Sequence, residues 1–245
     1  MHIIHSLNAH TASPPPYGLT IGSFDGMHLG HQFLLKTLRE QLGPKGTLAA
    51  LTFSNHPADV IPGLKKAPLL CSFEYKLQLL EKAGVNLAII LEFTSSFSEK
   101  SYDVFLKEVF KCIPFSYLIL GTGAAFGKNR QGDELHIKNL GKELHFEATY
   151  LDKKKVDDEN CSSGLIRHYL QQGDIHKVAS LLGRPYALYG KIKNHILDTT
   201  GLCLPPPGTY SILINNIPAK AHINDEVTIE CKEILSECTI EAIFL

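Results

Sequence analysis

Two histidines three positions apart, His28 and His31, bracket Gly30 in the run Gly22-Ser23-Phe24-Asp25-Gly26-Met27-His28-Leu29-Gly30-His31. Imidazoles at that spacing share one face of a helix start, beside backbone N–H groups with no partner inside the helix and the positive end of its dipole. Gly30 carries no Cβ, so an anion can come close to the backbone between them. Such a pair suits the stabilisation of charge building on a phosphorus during group transfer. A second helix start, Ser162-Ser163-Gly164-Leu165-Ile166-Arg167, offers two hydroxyls, its own N–H groups and a planar guanidinium fork that matches phosphate oxygens. Two furnished helix starts fit a nucleoside triphosphate better than a single phosphate.

The elements that must hold these groups follow from the periodicity of apolar residues. Tyr17 to Gly22 predicts a strand, and Leu29, Phe33, Leu34, Leu38 and Leu42 predict one apolar helix face that Gly43-Pro44 closes. Strands are expected over Thr47 to Phe53, Asn86 to Phe93, Phe115 to Leu120 and Glu143 to Tyr150. Between them the pattern predicts a helix capped by Ser72 and closed by Gly84, and another carrying Tyr102, Phe105, Val109 and Phe110. Helices capped by Ser162 and Asp174 follow, the second ending at Gly183. Alternating strands and helices predict a parallel sheet covered on both faces, with ligands beyond the carboxyl ends of its strands.

After Pro185 the character changes. Pro205-Pro206-Pro207-Gly208 and the alternating runs Thr209 to Ile214, Val227 to Glu230 and Thr239 to Phe244 predict a small, mostly β annex of about 55 residues, marginal as an independent core. The expected organisation is an α/β domain over 1–186 and the annex over 187–245. The 245 residues carry 24 basic and 25 acidic side chains and are 44% hydrophobic, a balance that gives no polyanion-binding field and no disorder. Neither a membrane span nor a secretory signal over Met1 to Pro16 is expected, and six scattered cysteines without a C-x-x-C pair are read as reduced thiols.

Other features carry less. Gly121-Thr122-Gly123-Ala124-Ala125-Phe126-Gly127 misses the dinucleotide fingerprint by one position, and Lys128 to Asp133 breaks the helix that should follow. Lys153-Lys154-Lys155 with Asp157-Asp158-Glu159 is read as a self-compensating, solvated loop, and Cys161 has no base or partner thiol in view.

The pattern G-x-F-D-G-x-H-x-G-H followed by S-S-x-x-I-R resembles the FMN adenylyltransferase module of the bifunctional riboflavin kinase/FMN adenylyltransferase family. Phe53-Ser54-Asn55-His56-Pro57 is similar to its F-D-P-H-P, and Phe126-Gly127-Lys128 through Gly132-Asp133 to its F-G-K…G-D. Gly173-Asp174 and Leu182-Gly183-Arg184-Pro185-Tyr186 fit its G-D and L-G-R-P-Y, so the match runs from about 17 to 190. The resemblance implies a Rossmann-like nucleotidyltransferase fold, cytoplasmic, with small-molecule substrates and neither nucleic acid nor membrane as partner. It implies transfer of AMP from ATP to FMN with Mg²⁺, giving FAD and pyrophosphate, with no metal ligand identified. His28 and His31 would serve the α-phosphate, Ser162, Ser163 and Arg167 the departing pyrophosphate, and Gly22, Ser23, Phe24, Asp25, Gly26 and Gly30 the ATP pocket. Asn55, His56, Pro57 and Phe126 would lie toward the flavin.

Departures from the family pattern are specific. Gly123-Ala124 stands where an Asp or Asn followed by Phe is usual, Gly164 replaces a threonine, and Ser54-Asn55 replaces Asp-Pro. The annex lacks the Pro-Thr-Ala-Asn of riboflavin kinase modules, so a shortened barrel without kinase activity is expected. Two alternatives stay open: another H-x-G-H nucleotidyltransferase with a different phosphate acceptor, and a non-catalytic flavin or nucleotide binder.

Overall fold

A computed structural model describes residues 1–8, 16–64, 66–231 and 237–245; part of the N-terminal stretch weighed above as a possible signal, residues 9–15, lies outside them. The chain divides into two compact units, one of residues 1–24, 31–66 and 79–153, the other of residues 25–30, 67–78 and 154–245.

The first unit is built on a parallel sheet. Its strands are β1 (His2–Ile4), β2 (Tyr17–Ile21), β3 (Thr47–Phe53), β4 (Leu87–Leu91), β5 (Phe115–Gly121) and β6 (Glu147–Leu151), in the order β1-β4-β3-β2-β5-β6. β3 reads Thr-Leu-Ala-Ala-Leu-Thr-Phe and β4 Leu-Ala-Ile-Ile-Leu, nearly every side chain buried, because helices cover a parallel sheet on both faces. Leu19, Leu51, Ile89 and Leu118 from neighbouring strands share a core with Phe105 and Val109. Strand order reverses at β2, between β3 and β5, which is where α/β sheets open a crevice for ligands. The chain leaves β2 directly into the H-x-G-H run.

The helix that follows, α1 (Leu29–Leu42), buries Leu35, Leu38 and Leu42. Its face differs by one residue from the one expected: Leu35 points inward, whereas Phe33 is 37% exposed. Gly18 on β2 sets how near the helix lies, since a Cβ there would stand 2.6 Å from Leu38 and 2.7 Å from Leu42. Next come α2 (Phe73–Lys82), the short α3 (Ser95–Ser98), α4 (Tyr102–Cys112) and α5 (Glu134–Leu144).

α5 corrects the expected strand from Glu143. The helix runs through Leu144, His145 ends it in the left-handed region at φ 61°, and strand pairing begins only at Glu147. The start signal is Asp133, whose carboxylate accepts the His136 N–H at 3.1 Å, and Ile137 and Leu140 are buried. Lys128–Arg130 form only a single 3-10 turn, and a new helix begins immediately behind Asp133.

In the second unit, the hairpin of β7 (Lys155–Val156) and β8 (Glu159–Asn160) turns on Asp157 and Asp158, both at positive φ, so the charge run is a tight turn. Lys177 bridges Asp157 and Glu159, each at 3.1 Å. Helices α6 (Ser163–Gln171) and α7 (Ile175–Leu182) follow. The β annex is a closed antiparallel barrel of β9 (Ala187–Lys193), β10 (Ile196–Leu197), β11 (Gly208–Ile214), β12 (Ile217–Ile223), β13 (Val227–Glu230) and β14 (Cys238–Phe244), in the order β10-β13-β12-β11-β14-β9. Inward residues alternate along it, among them Ile212, Ala221, Ile223, Val227, Ile229, Ala242 and Phe244. Closure solves the problem of so few residues, because no strand edge is left unpaired. Three of its strands, β9, β10 and β12, were not legible as strands in the sequence.

Among the described residues no helix is long and apolar enough to cross a membrane, and all six cysteines are free thiols.

Candidate active site

The segment between β2 and α1 is a forced turn. Asp25–Met27 form one turn of 3-10 helix, and Phe24, Gly26 and Met27 all have positive φ, 50°, 75° and 42°. Two of these are not glycine and carry a steric cost that only well-determined surroundings sustain. Those surroundings are tight. Gly26 donates its N–H to the Cys71 sulfur at 3.3 Å, and a Cβ on Gly26 would meet Leu70 Cδ1 at 2.9 Å. Burial pushes the Cys71 thiol up to about 12, with the Asp25 carboxylate adding to it, so the sulfur is a neutral packing group.

His28 is 6% exposed. Burial, with the nearby Arg184 guanidinium adding to it, lowers its pKa to about 4, so the ring is neutral at physiological pH. At Gly30 a Cβ would stand 3.0 Å from both Cε1 and Nδ1 of the His28 ring. His31 lies in the first turn of α1, and its ring meets Phe24 edge-on, with centroids 5.3 Å apart.

Asp25 joins this turn to the start of α6. Its carboxylate receives Arg167 Nη2 at 2.6 Å and the Leu70 N–H at 2.8 Å, while its backbone carbonyl receives the Ser163 hydroxyl at 3.0 Å. Burial raises the Asp25 carboxyl, and the Arg167 charge opposes that rise. Arg167 also donates Nε to the Pro68 carbonyl at 2.6 Å, so two edges of its fork are engaged within the protein. Ser162 caps α6, its oxygen accepting the Leu165 N–H at 3.2 Å. Space at Gly164 is open, since a Cβ there would meet only Ser162 Oγ, at 4.0 Å. The second unit therefore brings together Asp25, Gly26, His28, Gly30, Ser162, Ser163 and Arg167. Sequence reasoning missed Leu70 and Cys71, which no motif marked, and saw Arg184 only as one letter of L-G-R-P-Y.

The remaining candidates belong to the first unit. Gly22 donates to the Leu51 carbonyl at 3.1 Å, and the Ser23 carbonyl accepts the Thr52 hydroxyl at 3.2 Å. Asn55 pairs its amide with the Phe93 backbone in both directions, at 2.9 and 2.7 Å. His56 caps the turn Pro57–Asp59: Nδ1 accepts the Ala58 N–H, and the Asp59 carboxylate accepts the His56 N–H, both at 3.0 Å. Asn55 and His56 thus hold their own loop. Phe126 pairs with Gly132 across a two-residue bridge. Gly127 and Gly132 are required there, because a Cβ on either would stand 2.3 Å from Tyr102. Gly123, at φ 86°, has nothing within 4 Å of its Cβ position.

A six-stranded parallel sheet of Rossmann-like order, whose reversal strand runs straight into an H-x-G-H helix start, defines the nucleotidyltransferase class of α/β proteins. Residues 11–165 match the model of the FAD synthetase family, and the chain belongs to that family. Among curated relatives, an FAD synthetase of Listeria monocytogenes is 31% identical over 196 residues, covering 78% of this chain and 79% of its own. A bifunctional riboflavin kinase/FMN adenylyltransferase of the same organism is 31% identical over 176 residues, 71% of this chain. The chain spans 56% of that relative's length and 63% of the Haemophilus influenzae protein of the same description. The Bacillus subtilis bifunctional protein is 28% identical over 93% of this chain, a match that necessarily enters the barrel. A crystal structure described as a macrolide-efflux protein from Streptococcus pneumoniae has the same fold, with a TM-score of 0.82 over all of this chain at 19% identity, covering 89% of that chain.

Proposed function

We propose that the chain transfers the AMP part of ATP to the phosphate of FMN. An FMN phosphate oxygen forms a bond to the α-phosphorus, the bond from that phosphorus to the bridging oxygen breaks, and pyrophosphate leaves with the electron pair. The acceptor is itself the nucleophile, so the protein needs to position and to neutralise charge rather than to supply a covalent partner. Residues 1–186 are assigned to this reaction and 187–245 to a barrel without riboflavin kinase activity. A cytoplasmic location goes with this reading.

The observation that carries the reading is Asp25. It ties the turn bearing His28 to the start of α6 bearing Ser162 and Ser163 through a buried ion pair and a hydroxyl-to-carbonyl bond. His28, kept neutral by burial, is assigned as an N–H donor to the α-phosphate, and His31, in the first turn of α1, is assigned to the same group. The N–H groups and hydroxyls of Ser162 and Ser163 are assigned to the pyrophosphate. Arg167 takes part through the oxygen contacts its fork leaves over. Gly22, Ser23, Phe24, Gly26 and Gly30 shape the ATP pocket, and Asn55, His56, Pro57 and Phe126 are assigned to FMN.

ATP enters as its magnesium complex. Among the described residues no group of three or more His, Cys, Asp or Glu could hold a metal ion, and Asp25 is committed to Arg167 and Leu70. That donor set fits magnesium carried on phosphate oxygens and water.

The test is to incubate pure protein with ATP, Mg²⁺ and FMN and to separate the products. FAD and pyrophosphate in equal amounts are expected; FMN bound without turnover refutes the assignment. Riboflavin with ATP is expected to give no FMN, and FMN formation there overturns the assignment of the barrel.

A further inference from the structure

We propose that the barrel positions the H-x-G-H turn: Glu241 on β14 and Tyr189 on β9 fix Tyr75, Tyr75 backs Arg184, and Arg184 clamps the carbonyls before His28. This rests on the adenylyl-transfer reading and adds to it a task for the C-terminal strands. All the groups involved lie in the second unit.

The contacts form one chain. Arg184 donates Nη2 to the Gly26 carbonyl at 2.9 Å and Nη1 to the Met27 carbonyl at 3.4 Å. Those two carbonyls belong to the residues at φ 75° and 42°, the second of them a strained methionine, so the planar fork holds the turn just before His28. Arg184 Nη1 also donates to the Leu182 carbonyl at 3.5 Å, while its buried Nε has no hydrogen-bond partner among the described residues, so the two Nη groups orient the fork. Its Cζ lies over the Tyr75 ring, 5.9 Å from the centroid. Tyr75 is 2% exposed and stacks on Tyr189, with centroids 5.4 Å apart and planes within 9°. The Tyr75 hydroxyl donates to the Glu241 carboxylate. Burial and that carboxylate both raise the Tyr75 hydroxyl, which stays a phenol and a donor.

Glu241 and Tyr189 are direct cross-strand partners in the β14–β9 pairing. One strand register therefore places the acceptor for the Tyr75 hydroxyl beside the platform for its ring, and a slip of one residue would send one of them to the other face. A barrel with no reaction of its own would keep such a register because the transfer site depends on it. Arg184 acts through the turn and not on the phosphates, so it is a positioning residue.

The experiment uses the full chain with Arg184→Met, Arg184→Lys, Tyr75→Phe and Glu241→Gln, and Glu230→Gln on the exposed side of β13 as control. kcat and the ATP KM for FAD formation, the Tm and the NMR signals of the His28 ring are measured for each. Arg184→Met is expected to lower kcat by about 10²-fold, the scale of a misplaced reacting group, with ATP KM changed by less than about threefold. Arg184→Lys should recover about tenfold of that loss, Tyr75→Phe and Glu241→Gln should each lose roughly three- to tenfold, and Glu230→Gln should match the wild type. His28 signals should move in all four network variants. Wild-type kcat in both Tyr75→Phe and Glu241→Gln would overturn the proposal. So would losses that follow Tm alone without rescue by Arg184→Lys. Should the wild type itself make no FAD, the adenylyl-transfer reading fails, and unmoved His28 signals in Glu241→Gln and Tyr75→Phe then separately refute the clamp.

Discussion

Acidification should cost this protein stability through His28 in particular. The ring is 6% exposed, the absent Cβ of Gly30 lets it sit tightly, and the Arg184 charge disfavours its protonation. Its pKa falls from 6.5 to about 4 on folding. The sign follows from proton counting. Between those two values the unfolded chain holds a proton on His28 that the folded chain does not, so stability falls as pH drops through 6.5 toward 4. The loss amounts to about 2 kcal/mol at pH 5 and about 3 kcal/mol at pH 4, and it vanishes above pH 7. His28→Asn removes this titration and leaves every other group in place. Urea unfolding of both proteins from about pH 7.5 to 4.5 should therefore show the wild type losing about 2 kcal/mol more than the variant by pH 5. The His28 Cε1 proton should titrate near 4 in the folded wild type. Parallel stability curves, or a His28 midpoint near 6.5, would refute the claim that this imidazole is neutral because it is buried.

Three further outcomes follow from single contacts. Gly30→Ala puts a Cβ 3.0 Å from the His28 ring, so the ring must turn, and kcat for FAD formation should fall by about tenfold or more while FMN affinity holds; unchanged turnover would remove the ring-seating role of that glycine. Asp25→Asn takes the charge from a buried ion pair and should lower stability by about 3–5 kcal/mol in denaturant titrations, with a loss under about 1 kcal/mol contradicting the hub assigned to Asp25. Gly127→Ala, at φ 74° with its Cβ 2.3 Å from the Tyr102 backbone nitrogen, should cost about 2 kcal/mol or more, read as a fall in Tm; an unshifted Tm would show that this loop yields freely.

Much of the candidate site was legible because the features that mark it are local. Histidines at i and i+3 around a glycine, and serines at a helix start, are recognised from spacing within one turn. The parallel sheet was legible for a similar reason, since fully apolar runs such as Leu87–Leu91 leave few other places for a strand to go. The errors have identifiable causes. α5 begins right behind a breaker, so the boundary cue hid the element that followed. Ile196–Leu197 is too short to show alternation, and Ile217–Ile223 carries Pro218, Lys220 and His222 on its outer face.

The sequence by itself determined the architecture class, the two furnished helix starts and the family pattern, because each depends on residues close together in the chain. Only the tertiary structure decided what those residues do with their side chains. Arg167 sits 142 positions from Asp25 and Glu241 sits 166 from Tyr75, and no local spacing encodes such pairs. Packing brought them together under apolar cover, and burial is what keeps the His28 ring neutral.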